Sequence, residues 1–198
     1  MRGANAAWLR GGSFEGQRSI VVARLPPAAM NVVAESERLA RLRALPLSPA
    51  LRAMAEGRLP HPQLWRCQTG KPFYVYRGAE APAGPVLIPL WDWNDWVRGV
   101  RERPDGLEFV RFDIEMPDEV ECLARTEAGL WARLFDALYE DDLELDELEA
   151  IARAVDYRYW PLQLKSREAA EPHWSGGSAH SHWLQAWTAA IDARAGAE

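Results

Sequence analysis

Cysteine, lysine and long apolar runs are scarce in this 198-residue chain. The two cysteines, Cys67 and Cys122, fit no CxxC pattern and are too few for a disulfide framework. The apolar runs are a few residues long, whereas a transmembrane helix needs about 20. After Met1-Arg2-Gly3-Ala4-Asn5 no apolar stretch of the ~7–15 residues of a secretory signal follows. A soluble, reduced, cytoplasmic protein with no membrane association is expected. The patterns GxSxG, GxxxxGK[ST] and GxGxxG are absent, which removes the nucleophile elbow and the usual phosphate cradles. The acidic run 141–147 lacks the central glycine and ligand order of a calcium loop. Lysine occurs only at Lys71 and Lys165 among 23 basic residues, a bias toward arginine that carries no functional inference.

What is present is ordinary globular composition, 48% hydrophobic and 26% charged, enough for one domain with a sizeable core. Ten tryptophans are many for this length, and most are expected in the core. Charge is unevenly placed. Residues 1–112 carry 16 basic and 10 acidic groups, residues 113–149 carry 14 acidic groups against Arg125 and Arg133, and residues 150–198 balance at five each. The field of the middle stretch repels phosphate backbones and attracts a basic protein, so no nucleic-acid partner is expected. The plainer reading is a solvated acidic surface that maintains solubility.

Along the chain, the Gly- and Ala-rich residues 1–17 read as a frayed segment. Residues 18–25 read as a strand stopped by Pro26-Pro27. Residues 31–45 read as a helix with Asn31 as cap, and Pro49 starts a short helix over 50–56 that Gly57 ends. Residues 57–72 read as loop and 73–76 as a strand. The apolar run 86–90 follows, then a hairpin of 96–101 and 107–115 around Arg103-Pro104-Asp105-Gly106. In its second strand Val110, Phe112 and Ile114 form the more apolar face, and 120–125 adds a short strand. Thr126 is placed to cap a long helix whose rows Leu130, Leu134, Leu138 and Trp131, Phe135, Tyr139 make a broad apolar stripe. A second helix follows, with Asp146 and Glu149 at capping-box spacing and Leu148, Ile151, Ala152 and Val155 on its apolar face. Residues 166–181 read as a loop, and 182–194 as a last helix. The sum is a single α+β domain, a mixed, mainly antiparallel sheet flanked by helices.

The candidate chemistry is sparse. His180 and His182 form an HxH pair near His173, but a Ser-Gly-rich loop does not preorganise metal ligands, and neither metal nor cofactor is expected. Carboxylate pairs such as Asp113/Glu115 are plentiful, yet two-carboxylate catalysis needs acids converging in one cleft. The remaining feature is Trp91-Asp92-Trp93-Asn94-Asp95-Trp96, either the edge of the core or an aromatic contact surface.

Several of these segments together resemble the SUKH superfamily, bacterial toxin-immunity proteins and their relatives. The resemblance rests on Val86-Leu87-Ile88-Pro89-Leu90-Trp91, Trp96-Val97-Arg98-Gly99, Asp105-Gly106-Leu107-Glu108-Phe109-Val110, Phe112-Asp113-Ile114-Glu115, and Thr126-Glu127-Ala128-Gly129-Leu130 opening a helix. Leu45-Pro46 to Gly57 resembles a further family helix, with Ala50 and Met54 where aromatics are common and one glycine where a pair is usual. Residues before Asn31 and after Leu164 match nothing in the family. The resemblance implies an α+β fold, a mixed or antiparallel sheet flanked by helices; the domain is expected over 18–164, followed by a loop and a C-terminal helix packed on it over 165–198. It implies a non-enzymatic immunity protein that neutralises a cognate toxin, of basic nuclease type. Trp91, Asp92, Trp93, Asn94, Asp95, Trp96, Asp113, Glu115, Asp118, Glu119 and Glu121 are the expected partner surface. A scaffold protein of the same fold, binding a host partner, is the alternative. A hydrolase using carboxylates or His180/His182 is the third reading.

Overall fold

Local sequence rules account for some of the helix starts and miss others. In the computed structural model, which describes residues 31–67, 84–93, 95–141 and 143–197, helix α1 spans Glu35–Ala44 and α2 spans Pro49–Ala55. Glu35 and Glu37 lie in the first turn of α1, and Arg41 and Arg43 in the last, each favourable to the helix dipole. Asn31 does not cap α1, which begins four residues later. Its carbonyl instead accepts from Leu87 N at 2.6 Å, and Val33 N donates to Leu87 O at 2.9 Å, so this stretch lies extended against the sheet. Ser48 caps α2, with Oγ accepting from Leu51 N at 3.1 Å, and Gly57 at φ 84° turns the chain out of it. Pro62–Cys67 form a 3-10 helix within the expected loop. The strands expected at 18–25 and 73–76, and the frayed segment 1–17, lie outside the described residues.

Strands β1 (Leu87–Trp93), β2 (Trp96–Arg103), β3 (Gly106–Asp113) and β4 (Met116–Ala124) form an antiparallel sheet in sequence order. The β2–β3 turn is the expected one, with Gly106 at φ 137°. Between the pairs Arg111↔Glu121 and Asp113↔Met116, β3 has one residue and β4 has 117–120, so the last strand bulges outward at Pro117, which has no N–H to give the ladder.

The sheet has two apolar faces. Val97, Val110 and Phe112 join Leu87 and Val32 in a small cluster on one side. Ile88, Val100 and Phe109 join the main core on the other. The Val110, Phe112, Ile114 row therefore belongs to the smaller cluster, and the main core takes the row that contains Phe109 and Arg111.

Helix α3 (Glu127–Glu140) lies in the main core. Thr126 Oγ1 accepts from Gly129 N at 3.1 Å, the expected cap, and Leu130, Trp131, Phe135 and Leu138 are buried. Helix α4 (Leu145–Ala154) buries Leu148, Ile151 and Ala152, with Val155 just beyond its end, as the pattern predicts. Its N-cap is Glu144, without a side-chain cap bond, and Asp146 sits inside the first turn, so the capping box does not form. The 166–181 loop is also corrected. Helix α5 covers Trp160–Ala170 with Pro161 in its first turn, a 3-10 turn covers Glu171–His173, and helix α6 covers Gly177–Ala195. Glycine and serine suggested a loop or mobile linker, but the segment is fixed by contacts of Arg167 and Trp174 with Asp136, His180 and Trp183. Among the described residues no helix is long and apolar enough to cross a membrane.

One buried charge joins the first helix to the sheet. Arg38 is 5% exposed and donates from Nε to Pro89 O at 2.6 Å, and from one terminal nitrogen to Ala55 O and Leu90 O, both at 2.7 Å. Three carbonyls from α2 and β1 thus find their donor in a single guanidinium. Removing it leaves buried acceptors at about 1–3 kcal/mol each. Arg38→Met should lower unfolding free energy by about 3 kcal/mol or more, read by urea denaturation at unchanged slope. A loss below about 1 kcal/mol would contradict this role.

Candidate functional site

The expected partner surface divides on folding. Trp91 and Asp92 are buried, 1% and 3% exposed, and cannot meet a partner. Trp91 lies on the core side of β1, after a bulge that shifts the register between Pro89 and Trp91. Trp93 packs edge-on against Trp65, with ring centroids 4.9 Å apart. Asn94 lies outside the described residues. Asp95 is exposed, and Trp96 is half-buried beneath the Arg111 guanidinium, 4.6 Å from its ring centre. The six-residue segment is therefore part core and part surface.

The acidic residues also separate. Glu121 accepts from Arg111 Nε at 2.6 Å and faces Arg133 at 3.4 Å, so two arginines neutralise it. Asp113, Glu115, Asp118 and Glu119 gather at the β3–β4 end of the sheet. Asp113 Oδ1 accepts from Glu115 N at 2.8 Å, which tightens the turn. Ile114 N donates to Asp95 O at 2.9 Å, so the β1–β2 turn lies against the same end. Five carboxylates, on Asp95, Asp113, Glu115, Asp118 and Glu119, thus share one end of the sheet, and none makes an ion pair among the described residues. Met116, 49% exposed, stands between them on the edge strand.

A second polar region lies inside. On the helix-facing side, register places Trp91, Arg98, Arg111 and Glu121 in one row across the four strands. Arginines stand there where core residues would normally sit. The space between this row and α3 remains open as two adjoining cavities of about 470 and 430 Å³, which share Trp91, Arg98, Leu134, Asp136 and Ala137 in their walls. Cys67 lines the second cavity, where burial pushes its thiol up to about 12. The alternation of β2 gives little warning of this row, because Val97 and Val100 fall on opposite faces.

The histidine pair does not converge. Residues i and i+2 of a helix point roughly 200° apart, and on α6 His182 is exposed while His180 turns inward. His180 Nε2 lies 3.0 Å from Asp136 Oδ1, the same oxygen that accepts from Arg167. Arg167 is 3% exposed and also donates to Glu140. Its guanidinium faces the rings of Tyr139, Trp174 and Trp183 at 4.3, 5.1 and 5.9 Å. Trp174 in turn packs on His180 and Trp183, and Trp183 Nε1 donates to Ser166 Oγ at 3.1 Å. This cluster binds α3, α5 and α6 together. It also accounts for several tryptophans, since only Trp91, Trp131 and Trp160 of the nine described are fully buried. The expectation that most are core is corrected accordingly. Among the described residues no group of three or more His, Cys, Asp or Glu side chains could hold a metal.

Asp136 and Arg167 are both buried, so removing one takes away the other's buried partner and leaves only Glu140 beside Arg167 or His180 beside Asp136. Asp136→Leu or Arg167→Met alone should each cost about 3–5 kcal/mol, and the double variant should cost less than either, read by thermal or urea unfolding. Additive losses in the double variant would show that the two do not act as a pair.

The chain matches no family model, no curated protein and no solved structure.

Proposed function

We propose that this chain is a non-enzymatic protein-binding module of the immunity type, and that it neutralises a basic cognate toxin through the acidic end of its sheet. The observation that carries the reading is the convergence of Asp95, Asp113, Glu115, Asp118 and Glu119 on one end without ion pairs among the described residues. Exposed carboxylates left unpaired keep their field for a partner, and such a field accelerates encounter with a basic surface. Met116 and β4, the last strand of the sheet among the described residues, supply apolar contact and backbone hydrogen-bonding groups beside the charges. A toxin that binds phosphate backbones carries the complementary positive cleft, and carboxylates can occupy it as phosphates do. The partner surface in this reading is narrower than the sequence suggested, because Trp91 and Asp92 lie in the core and Glu121 is paired.

The test is capture of partners from the source organism's lysate by the tagged full chain, at low and high salt, with mass spectrometry. The comparison variant is Asp113→Asn/Glu115→Gln/Asp118→Asn/Glu119→Gln, in which the amide introduced at position 113 retains an acceptor for the turn. The expected result is one basic partner that wild type holds at low salt, that high salt releases, and that the variant binds at least about tenfold more weakly. Exposed unpaired sites change stability by only about ±0.5 kcal/mol, so the variant should remain folded. Equal capture by the folded variant would overturn the placement, and capture of no basic partner would overturn the function.

A further inference from the structure

The row of arginines inside the molecule does not serve the acidic end, and its charges are not all balanced. Arg111 and Arg133 both face Glu121, and Asp136 is taken by Arg167. Arg98, partly buried at the centre of the row, makes no hydrogen bond or ion pair among the described residues. It lines both cavities, and Trp91 and Arg111 are its neighbours across the sheet. Burial holds the Arg98 guanidinium below its ordinary pKa, and the nearby Arg111 charge acts in the same direction, against the opposing influence of Cys67 and Glu121. An arginine keeps its proton at neutral pH even so, and this site therefore holds a partly desolvated cation that no carboxylate pairs with directly among the described residues, Glu121 being shared by Arg111 and Arg133. Bound anion would relieve both effects.

The opposite wall is mixed, with Arg133, Asp136, His180, Ser181 and Gln185 beside an apolar set. Leu130, Leu134, Ala137 and Leu184 face the row from α3 and α6, and the Trp91 indole forms part of the sheet side. A volume of about 470 Å³ is in the range of sites for small organic molecules. A ligand suited to this shape has one anionic head and a compact apolar body. A planar guanidinium fork pairs best with a carboxylate, in a bidentate geometry.

We propose that the cavity between the sheet and α3 binds a small amphiphilic carboxylate, its head on Arg98 and its body between Trp91, Leu134 and Leu184. The proposal is independent of the acidic end, since none of the five unpaired carboxylates lines this space.

Isothermal titration of the full chain with 4-phenylbutyrate, 4-phenylbutanol and inorganic phosphate tests it. Phenylbutyrate should bind saturably at one site, and the neutral alcohol at least about tenfold more weakly, because it lacks the charge-assisted pair. Phosphate, which has the charge without the body, should also bind more weakly than phenylbutyrate. Arg98→Met should abolish the preference for carboxylate over alcohol. Arg98→Lys, which keeps the charge and loses the fork, should retain a reduced preference. Circular-dichroism melting establishes that each variant is folded. If Arg98→Met does not fold, Arg98→Lys and the wild-type preference decide the question. No saturable binding of phenylbutyrate, equal binding of carboxylate and alcohol, phosphate binding as tight as phenylbutyrate, or unchanged preference in a folded Arg98 variant would each overturn the proposal.

Discussion

The arrangement of the helices depends on the burial of Arg167. A guanidinium out of water costs several kcal/mol unless carboxylates and aromatic faces replace its hydration. Here Asp136 and Glu140, one turn apart at the end of α3, supply the carboxylates, and Tyr139, Trp174 and Trp183 supply the faces. That requirement fixes α5 against α3 and brings the start of α6 over the same spot. At its other end α3 is held by Asp192 of α6, whose carboxylate accepts from Arg125 N and Thr126 N, both at 2.8 Å, and from Thr126 Oγ1 at 2.7 Å. Gly129 fits there because a Cβ would collide with Asp192 and with Ala124. Helix α3 is thus fixed at both ends by side chains from the C-terminal third of the chain.

With α3 fixed, the sheet beneath it divides into regions of different chemistry. Ile88, Val100 and Phe109 meet the helices directly and build the core. One row further along, Trp91, Arg98, Arg111 and Glu121 hold the sheet face away from α3 and leave a polar cavity. At the end of the sheet the carboxylates reach solvent. Arg111 belongs to two of these settings, since it pairs with Glu121 and stacks on Trp96. On β3 the positive interior and the negative end are only two residues apart, Arg111 to Asp113, roughly 7 Å along the strand.

What the sequence revealed followed from local rules. The cap at Thr126, the turn at Gly106 and the apolar stripe of α3 depend on near neighbours, and all are found. The antiparallel sheet followed from the short connections. The failures depend on distant partners. Asn31 is suited to a cap, but its carbonyl is taken by Leu87, 56 positions later. Residues 166–181 have the composition of a loop, but Arg167 and Trp174 tie them to α3. Trp91 and Asp92 looked like a surface because alternation cannot reveal which face of a strand is covered. The Arg98 row was hidden for a related reason, since its members come from four strands and meet only through register. Asp113, Glu115, Asp118 and Glu119 were legible, as they are close in sequence and the hairpin joins them.

Hydrogen–deuterium exchange on the chain alone and in complex with its captured basic partner shows which end of the molecule the partner covers. Protection confined to residues 95–96 and 113–121, with the amides of 130–137 unchanged, is the predicted result. Protection along the α3 and α6 walls of the cavity, with none at the sheet end, would contradict the assignment of the carboxylates to the partner.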